Sequence, residues 1–187
     1  MKIIVSTGNV THSSPQATHM AADTSVTRTG RAFYVPHFAS SCTARLSIAW
    51  HIALVGKTIG ERFASRYCQA ASPSVLVTAH GDAGFGWPDA RMTAFDGSLL
   101  LGGQSPVDVT GSQALSLRVN GVEVASGTTG GLSCGFASQL SQLSRHFTFK
   151  TGDLLLSDVS EVDVPLQVGD RLEGYLDGSP LLEIAIR

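Results

Sequence analysis

The chain has 187 residues, a formal net charge of −2, and only 15% charged residues against 43% apolar ones. That balance disfavours a disordered chain. It also lacks the basic excess that nucleic acid or an anionic membrane surface would call for. The length suits a sizeable core in one domain, so a single unit over residues 1–187 is expected, with 1–30 as an N-terminal strand and lid or loop region.

Cys42, Cys68 and Cys134 are odd in number and follow no metal-ligand spacing, which predicts reduced, buried thiols. The opening Met1-Lys-Ile-Ile-Val reaches the polar Ser6-Thr-Gly-Asn too soon for a signal peptide. No apolar run approaches the roughly 20 residues of a membrane span. A cytoplasmic protein is expected, with neither membrane nor nucleic acid as partner.

In chain order, Lys2 to Ser6 predicts a short strand, and residues 7–30 a Thr- and Ser-rich loop or lid. A strand ends near Pro36. From Thr43 to Leu54 the alternation is regular: Leu46, Ile48, Trp50 and Ile52 face one way, and Arg45, Ser47, Ala49 and His51 the other. Ile59, Phe63 and Tyr67 at i, i+4 and i+8 predict a helix over Thr58 to Cys68. Ser74 to Ala79 is a buried strand, Gly81 to Asp89 a Gly-rich loop, and Phe95-Asp-Gly-Ser a turn before Leu99-Leu-Leu. Asn120-Gly121 and Asp177-Gly178 are hairpin signals, since both positions of each pair tolerate positive φ. Thr128 or Thr129 would cap a helix over 131–145 with Leu132, Phe136, Leu140 and Leu143 on one face. Leu172, Gly174 and Leu176, then Leu182, Ile184 and Ile186, alternate with more polar neighbours as a closing β meander. The sum is an α+β fold, mostly β, with mixed and antiparallel sheets and two or three short helices.

Several short motifs stand in a fixed order: Gly30-Arg-Ala-Phe-Tyr-Val-Pro-His-Phe, Val55-Gly-Lys-Thr-Ile, Ala64-Ser-Arg-Tyr, Thr78-Ala-His-Gly, Phe95-Asp-Gly-Ser, Val119-Asn-Gly, Gly127-Thr-Thr, Gly152-Asp153 and Gly169-Asp170. Together they resemble the short members of the fumarylacetoacetate hydrolase family, from about Asp23 to Arg187. The resemblance implies sheets curled into a roll, a dimer, and hydrolase, isomerase, hydratase or decarboxylase chemistry on 2-oxo or 1,3-diketo acids. It also implies a Mg²⁺ or Mn²⁺ ion held by a Glu-x-Glu pair and a later Asp.

The departures fall on that ion. An ungapped count from Pro36 to Gly56 places the Glu-x-Glu positions at Arg45 and Ser47, and the Asp at Leu76. A guanidinium, a hydroxyl and a hydrocarbon do not make an oxygen cage for a hard cation. The family lysine falls near Thr93, the Arg of Thr-Ala-Arg-Asp falls on His80, and the substrate-side aspartate on Asp23. Asp82, Asp89 and Asp96 read as loop and turn residues. Ser157-Asp158-Val159-Ser160 replaces the family's Thr-Gly-Thr-Pro, and Asp158, Glu161 and Asp163 read as a solvated loop, with a new acidic site as the alternative. His12 is a candidate general base in the lid; His51 and His80 are candidates for the pocket wall, while His19, His37 and His146 read as surface residues.

The resulting expectation is a family member with no metal cofactor that has lost its catalysis. Asp23, Arg45, Ser47, Leu76, His80 and Thr93 would line a former active site that binds a small organic acid. Such a chain would form a homodimer, or a heteromer with an active paralogue in a regulatory role. Two alternatives stand beside it: an active hydrolase, isomerase or decarboxylase, and a structural homologue without ligand.

Overall fold

The structure is a computed structural model, and it describes residues 1–8, 10, 17–81 and 92–187. His12, Asp82 and Asp89 lie outside the described residues, as does most of the expected Gly81–Asp89 loop. The strands, in chain order, are β1 (Ile3–Thr7), β2 (Ala17–Ala21), β3 (Val26–Arg28), β4 (Ala32–Phe33), β5 (Ser41–Ile52), β6 (Cys68–His80), β7 (Leu99–Leu101), β8 (Ser105–Pro106), β9 (Ala114–Val119), β10 (Val122–Thr128), β11 (Leu154–Leu166), β12 (Arg171–Leu176) and β13 (Ser179–Ile186). One α-helix, α1 (Phe136–His146), is among the described elements.

Two mixed sheets form. The larger runs β2-β1-β11-β5-β6-β7-β3, with β8 paired to β6, and the smaller runs β10-β9-β12-β13-β4. Pairing is parallel between β1 and β11, between β3 and β7, and between β4 and β13. The other pairings are antiparallel.

The alternation of β5 sorts its side chains as its sequence requires. Leu46, Ile48, Trp50 and Ile52 enter the main core with Leu115, Leu117, Leu172, Leu176, Leu182, Ile184 and Ile186 from the smaller sheet. Ala49, on the opposite face of β5, joins a second apolar cluster with Ile3, Val5, Leu76, Leu99, Leu101, Leu154 and Leu156. The large sheet is therefore covered on both faces, and Arg45 and Ser47 belong to the second face. Both predicted hairpins form, with φ of 52° and 82° at Asn120 and Gly121 and of 48° and 78° at Asp177 and Gly178. Positive φ at both residues is what a two-residue type I′ connection requires.

Four local expectations are corrected. Residues 17–28, read as loop, supply edge strand β2, a 3-10 turn at Asp23–Ser25 and β3. An edge strand needs no apolar alternation, and β2 is mostly exposed. The expected helix over Thr58 to Cys68 is a 3-10 helix at Glu61–Tyr67, and Ala64 rather than Phe63 is its buried residue. The guanidiniums of Arg62 and Arg66 lie 4.6 and 5.2 Å from the Phe63 ring, which holds that ring at the surface. Helix α1 starts at Phe136, five residues later than expected, with Gly135 and not Thr128 or Thr129 at its N-cap. Thr129 instead accepts from Gln113 N and donates to Gln113 Oε1, both at 2.9 Å. Finally, Asp158, Glu161 and Asp163 lie within β11 rather than in a loop; Asp158 is buried, while Glu161 and Asp163 are exposed as expected.

The Gly152-Asp153 turn ties the chain's start to its end. Asp153 Oδ1 accepts Lys2 N at 2.8 Å, while Oδ2 accepts Lys2 Nζ at 2.6 Å and Lys150 N at 2.9 Å. These bonds fix β1 beside β11, in the register Ile3–Leu154. Asp153→Ala leaves the backbone N–H groups of Lys2 and Lys150 without this acceptor, and the Lys2 ammonium with only the Thr148 carbonyl at 2.8 Å. It is expected to lower unfolding stability by about 2–4 kcal/mol in urea denaturation.

Candidate functional site

Arg45 stands on β5 between two acidic residues of β11. Its Nε donates to Asp163 Oδ1 at 2.9 Å and its Nη2 donates to Asp163 Oδ2 at 2.7 Å. This is a bidentate pair, the geometry for which a guanidinium is pre-shaped. On the other side, Arg45 Nη1 lies 3.6 Å from Asp158 Oδ2, a charge contact too long for a hydrogen bond. Ser47 donates its hydroxyl to Asp158 Oδ1 at 2.9 Å. Asp158 Oδ2 is buried and has no hydrogen-bond partner among the described residues.

The strand register explains the grouping. Asp158 pairs with Ser47 and Asp163 with Arg45, and the ladder shifts between them. Regular antiparallel pairing would place residue 160, a serine, opposite Arg45. The irregularity brings Asp163 there instead, so two carboxylates meet one cation. Beside this bulge, Gly127 of β10 runs so close to β11 that a Cβ there would lie 1.8 Å from the Val159 carbonyl oxygen. Only glycine permits that approach.

The electrostatics follow from depth. The Asp158 side chain is 2% exposed, Arg45 32% and Asp163 49%. Burial pushes the Asp158 carboxyl up from 3.8 to about 6, against the downward pull of the Arg45 charge and the Ser47 hydroxyl. The Asp163 hydrogen bonds hold the Arg45 guanidinium above its ordinary range, with burial opposing them and Asp158 adding to them.

Leu76 pairs with Arg45 in the β5–β6 ladder and with Leu99 on its other side. The three positions at which the resemblance implies metal ligands therefore do converge. They offer a guanidinium, a hydroxyl already bonded to Asp158, and a side chain in the second apolar cluster. A hard divalent cation needs several oxygen ligands and no cation beside it, so the residues present do not fit Mg²⁺ or Mn²⁺ here. Among the described residues, no three His, Cys, Asp or Glu side chains are grouped to hold a metal ion.

The other sequence candidates are more scattered. His80 Nε2 lies 2.9 Å from Thr43 Oγ1, at the far end of β6. Thr93 Oγ1 lies 3.4 Å from His19 Nε2. His19 is half-buried and not the surface residue expected, because it faces inward from β2 opposite Val5. Burial lowers its pKa. Asp23 is exposed at the start of its 3-10 turn, which Ser25 ties to the Thr93 segment through a 3.1 Å bond to the Ala94 carbonyl. His51 contacts Ser72 Oγ at 2.8 Å and Gln104 Nε2 at 3.2 Å. Burial, with the Arg28 charge adding, lowers its pKa to about 4. His37 and His146 are exposed, as expected.

Asp158 and Asp163 were placed behind a loop reading, with a new acidic site only as the alternative. The signal present in the sequence was two acids on either side of a strand-like Val-Ser-Glu-Val segment, which a loop reading absorbed.

Two packed mixed sheets, with a partly exposed cation–carboxylate network anchored on buried Asp158 on the second face of the larger one, define the fold and the candidate site. Residues 6–186 match the family model described as the C-terminal domain of fumarylacetoacetate (FAA) hydrolase. The chain belongs to that family. It is 37% identical over 103 residues to an oxaloacetate tautomerase of Escherichia coli (strain K12), a stretch covering 53% of this chain and 46% of that protein. The match thus spans about half the length of that relative. Among solved structures, a fumarylpyruvate hydrolase from Pseudomonas aeruginosa in complex with Mn²⁺ and pyruvate superposes with a TM-score of 0.86 at 19% identity, covering 100% of this chain and 89% of that one. A 5-carboxymethyl-2-hydroxymuconate delta-isomerase from Mycobacterium smegmatis gives 0.86 at 17% identity, over 99% and 78%. At such identities the likeness is one of fold. Among the described residues, no helix is long and apolar enough to cross a membrane.

The raised pKa of Asp158 makes stability depend on pH. An unfolded Asp158 releases its proton near 3.8, whereas the folded one holds it to about 6. Its stabilising contribution is therefore complete below the unfolded value and lost as pH rises through the folded one. Relative to Asp158→Asn, the wild type should lose on the order of 2–3 kcal/mol between pH 4 and 6 in thermal or urea unfolding. The difference should then level off at higher pH.

Proposed function

We propose that this chain acts on a small 2-oxo acid without a divalent cation, with Arg45 as the fixed positive charge of its site and keto–enol isomerisation as its chemistry. The observation that carries the reading is the Arg45 guanidinium, held by Asp163 and Asp158 where the family resemblance implies a cation. Isomerisation moves one proton between the carbon beside a carbonyl and the carbonyl oxygen, with no net change in atoms or electrons. It needs a cationic partner for the enolate oxygen and a group to carry the proton. Arg45 is suited to the first role. Asp158, beside it and with a pKa raised to about 6, is suited to the second.

Two comparisons support the substrate class. One relative is an oxaloacetate tautomerase, and one structural neighbour was solved with pyruvate. Hydrolysis or decarboxylation of 2-oxo acids runs through the same enolate and belongs to the same reading.

A second reading is a binding or regulatory member without turnover, acting as a homodimer or beside an active paralogue. One observation favours it: the Arg45 fork is already closed by Asp163. Turnover separates the two. Enol-to-keto conversion of oxaloacetate, followed by ultraviolet absorbance in a chelator, should be catalysed by the wild type. Arg45→Gln should reduce the rate about 100-fold or more. Catalysis that appears only on adding Mg²⁺ or Mn²⁺ would overturn the metal-independent reading. No catalysis under either condition would leave the binding role.

A further inference from the structure

We propose that Asp163 is an internal stand-in for the ligand's carboxylate: it occupies the Arg45 fork and swings away when a small carboxylate arrives. The inference rests on the proposed reading in which Arg45 is the fixed positive charge of the site, and it has the ligand's carboxylate meet that same charge.

Three observations carry it. The first is shape. Asp163 engages Nε and Nη2 along one edge of the guanidinium at 2.9 and 2.7 Å, which is the contact a free planar carboxylate would make. The second is depth. Asp163 is 49% exposed and can return to water at small cost, whereas Asp158 at 2% cannot. The Ser47 hydroxyl also keeps Asp158 in place, at 2.9 Å. The third is register. Regular pairing would face Arg45 with Ser160, and only the shift in β11 between Asp158 and Asp163 delivers a second acid. A fixed structural partner would not need that device, because buried Asp158 already stands beside the same cation.

Charge bookkeeping selects exchange over addition. Arg45 carries one positive charge and faces two carboxylates. A third anion entering beside both would meet a net negative site. If Asp163 leaves as the ligand enters, the charge around Arg45 is unchanged. Neutral ligands gain nothing from this exchange, so the site selects for a carboxylate. Apparent affinity is lowered by the fraction of time that Asp163 holds the fork.

Calorimetric titration with pyruvate tests the exchange. If Asp163 holds the fork about nine-tenths of the time, Asp163→Asn should bind pyruvate about tenfold more tightly than the wild type. Asp163→Ser should show the same gain, and it replaces the first variant if that one fails to fold by circular dichroism. Adding Arg45→Gln to either variant should abolish binding. Equal affinity of wild type and both Asp163 variants, or no pyruvate binding by any of them, would overturn the exchange. A gain that persists after Arg45→Gln would overturn both the exchange and the anchor role of Arg45, so the two failures are distinguishable.

Discussion

The ion pair between Arg45 and the acids of β11 is the constraint around which this site is arranged. A lone guanidinium on the inner part of a sheet face would be costly to desolvate. Here the bidentate Asp163 contact and the buried Asp158 charge compensate it, and Ser47 satisfies one oxygen of Asp158. The arrangement keeps a single positive charge on β5, the charge that the proposed function assigns to an enolate or carboxylate.

The sheet provides the rigidity that such a group needs. β5 is central in the larger sheet, paired along its length with β6 and β11. One face of β5 is locked into the inter-sheet core by Leu46, Ile48 and Trp50, so the other face cannot rotate. Trp50 packs on Phe136 at 5.0 Å between ring centroids and donates to Ser157 Oγ at 3.3 Å. Ser157 in turn donates to Gln139 of α1 at 2.9 Å. This chain of contacts holds β11 and the helix together immediately before Asp158, the residue whose position matters most.

Much of this was legible from residue order. The alternation in β5 placed Arg45 and Ser47 on one face, and both hairpins announced themselves through Asn-Gly and Asp-Gly. Leu76, which the family motifs mark, lies opposite Arg45 in the β5–β6 ladder. Two other features were not legible, for different reasons. Asp158 and Asp163 meet Ser47 and Arg45 across 111 and 118 residues of chain, through a ladder shift that no local pattern encodes. His19 sits on an edge strand whose exposed residues give no alternation to read. The loop reading of residues 157–163 failed because the strand continues through this stretch across a ladder shift, with Asp158 buried against Ser47 and the exposed Asp163 paired with Arg45.

Membership of the fumarylacetoacetate hydrolase family, with the side chains at the three positions the resemblance marks, frames the central proposal: a guanidinium stands where the resemblance implies a divalent cation. The most direct measurement is crystallographic. Crystals soaked in Mn²⁺ and measured for anomalous scattering should show no peak within bonding distance of Ser47 or Asp158, with Arg45 in density against Asp163. A strong anomalous peak with octahedral oxygen ligands between β5 and β11, and Arg45 turned away, would contradict the account.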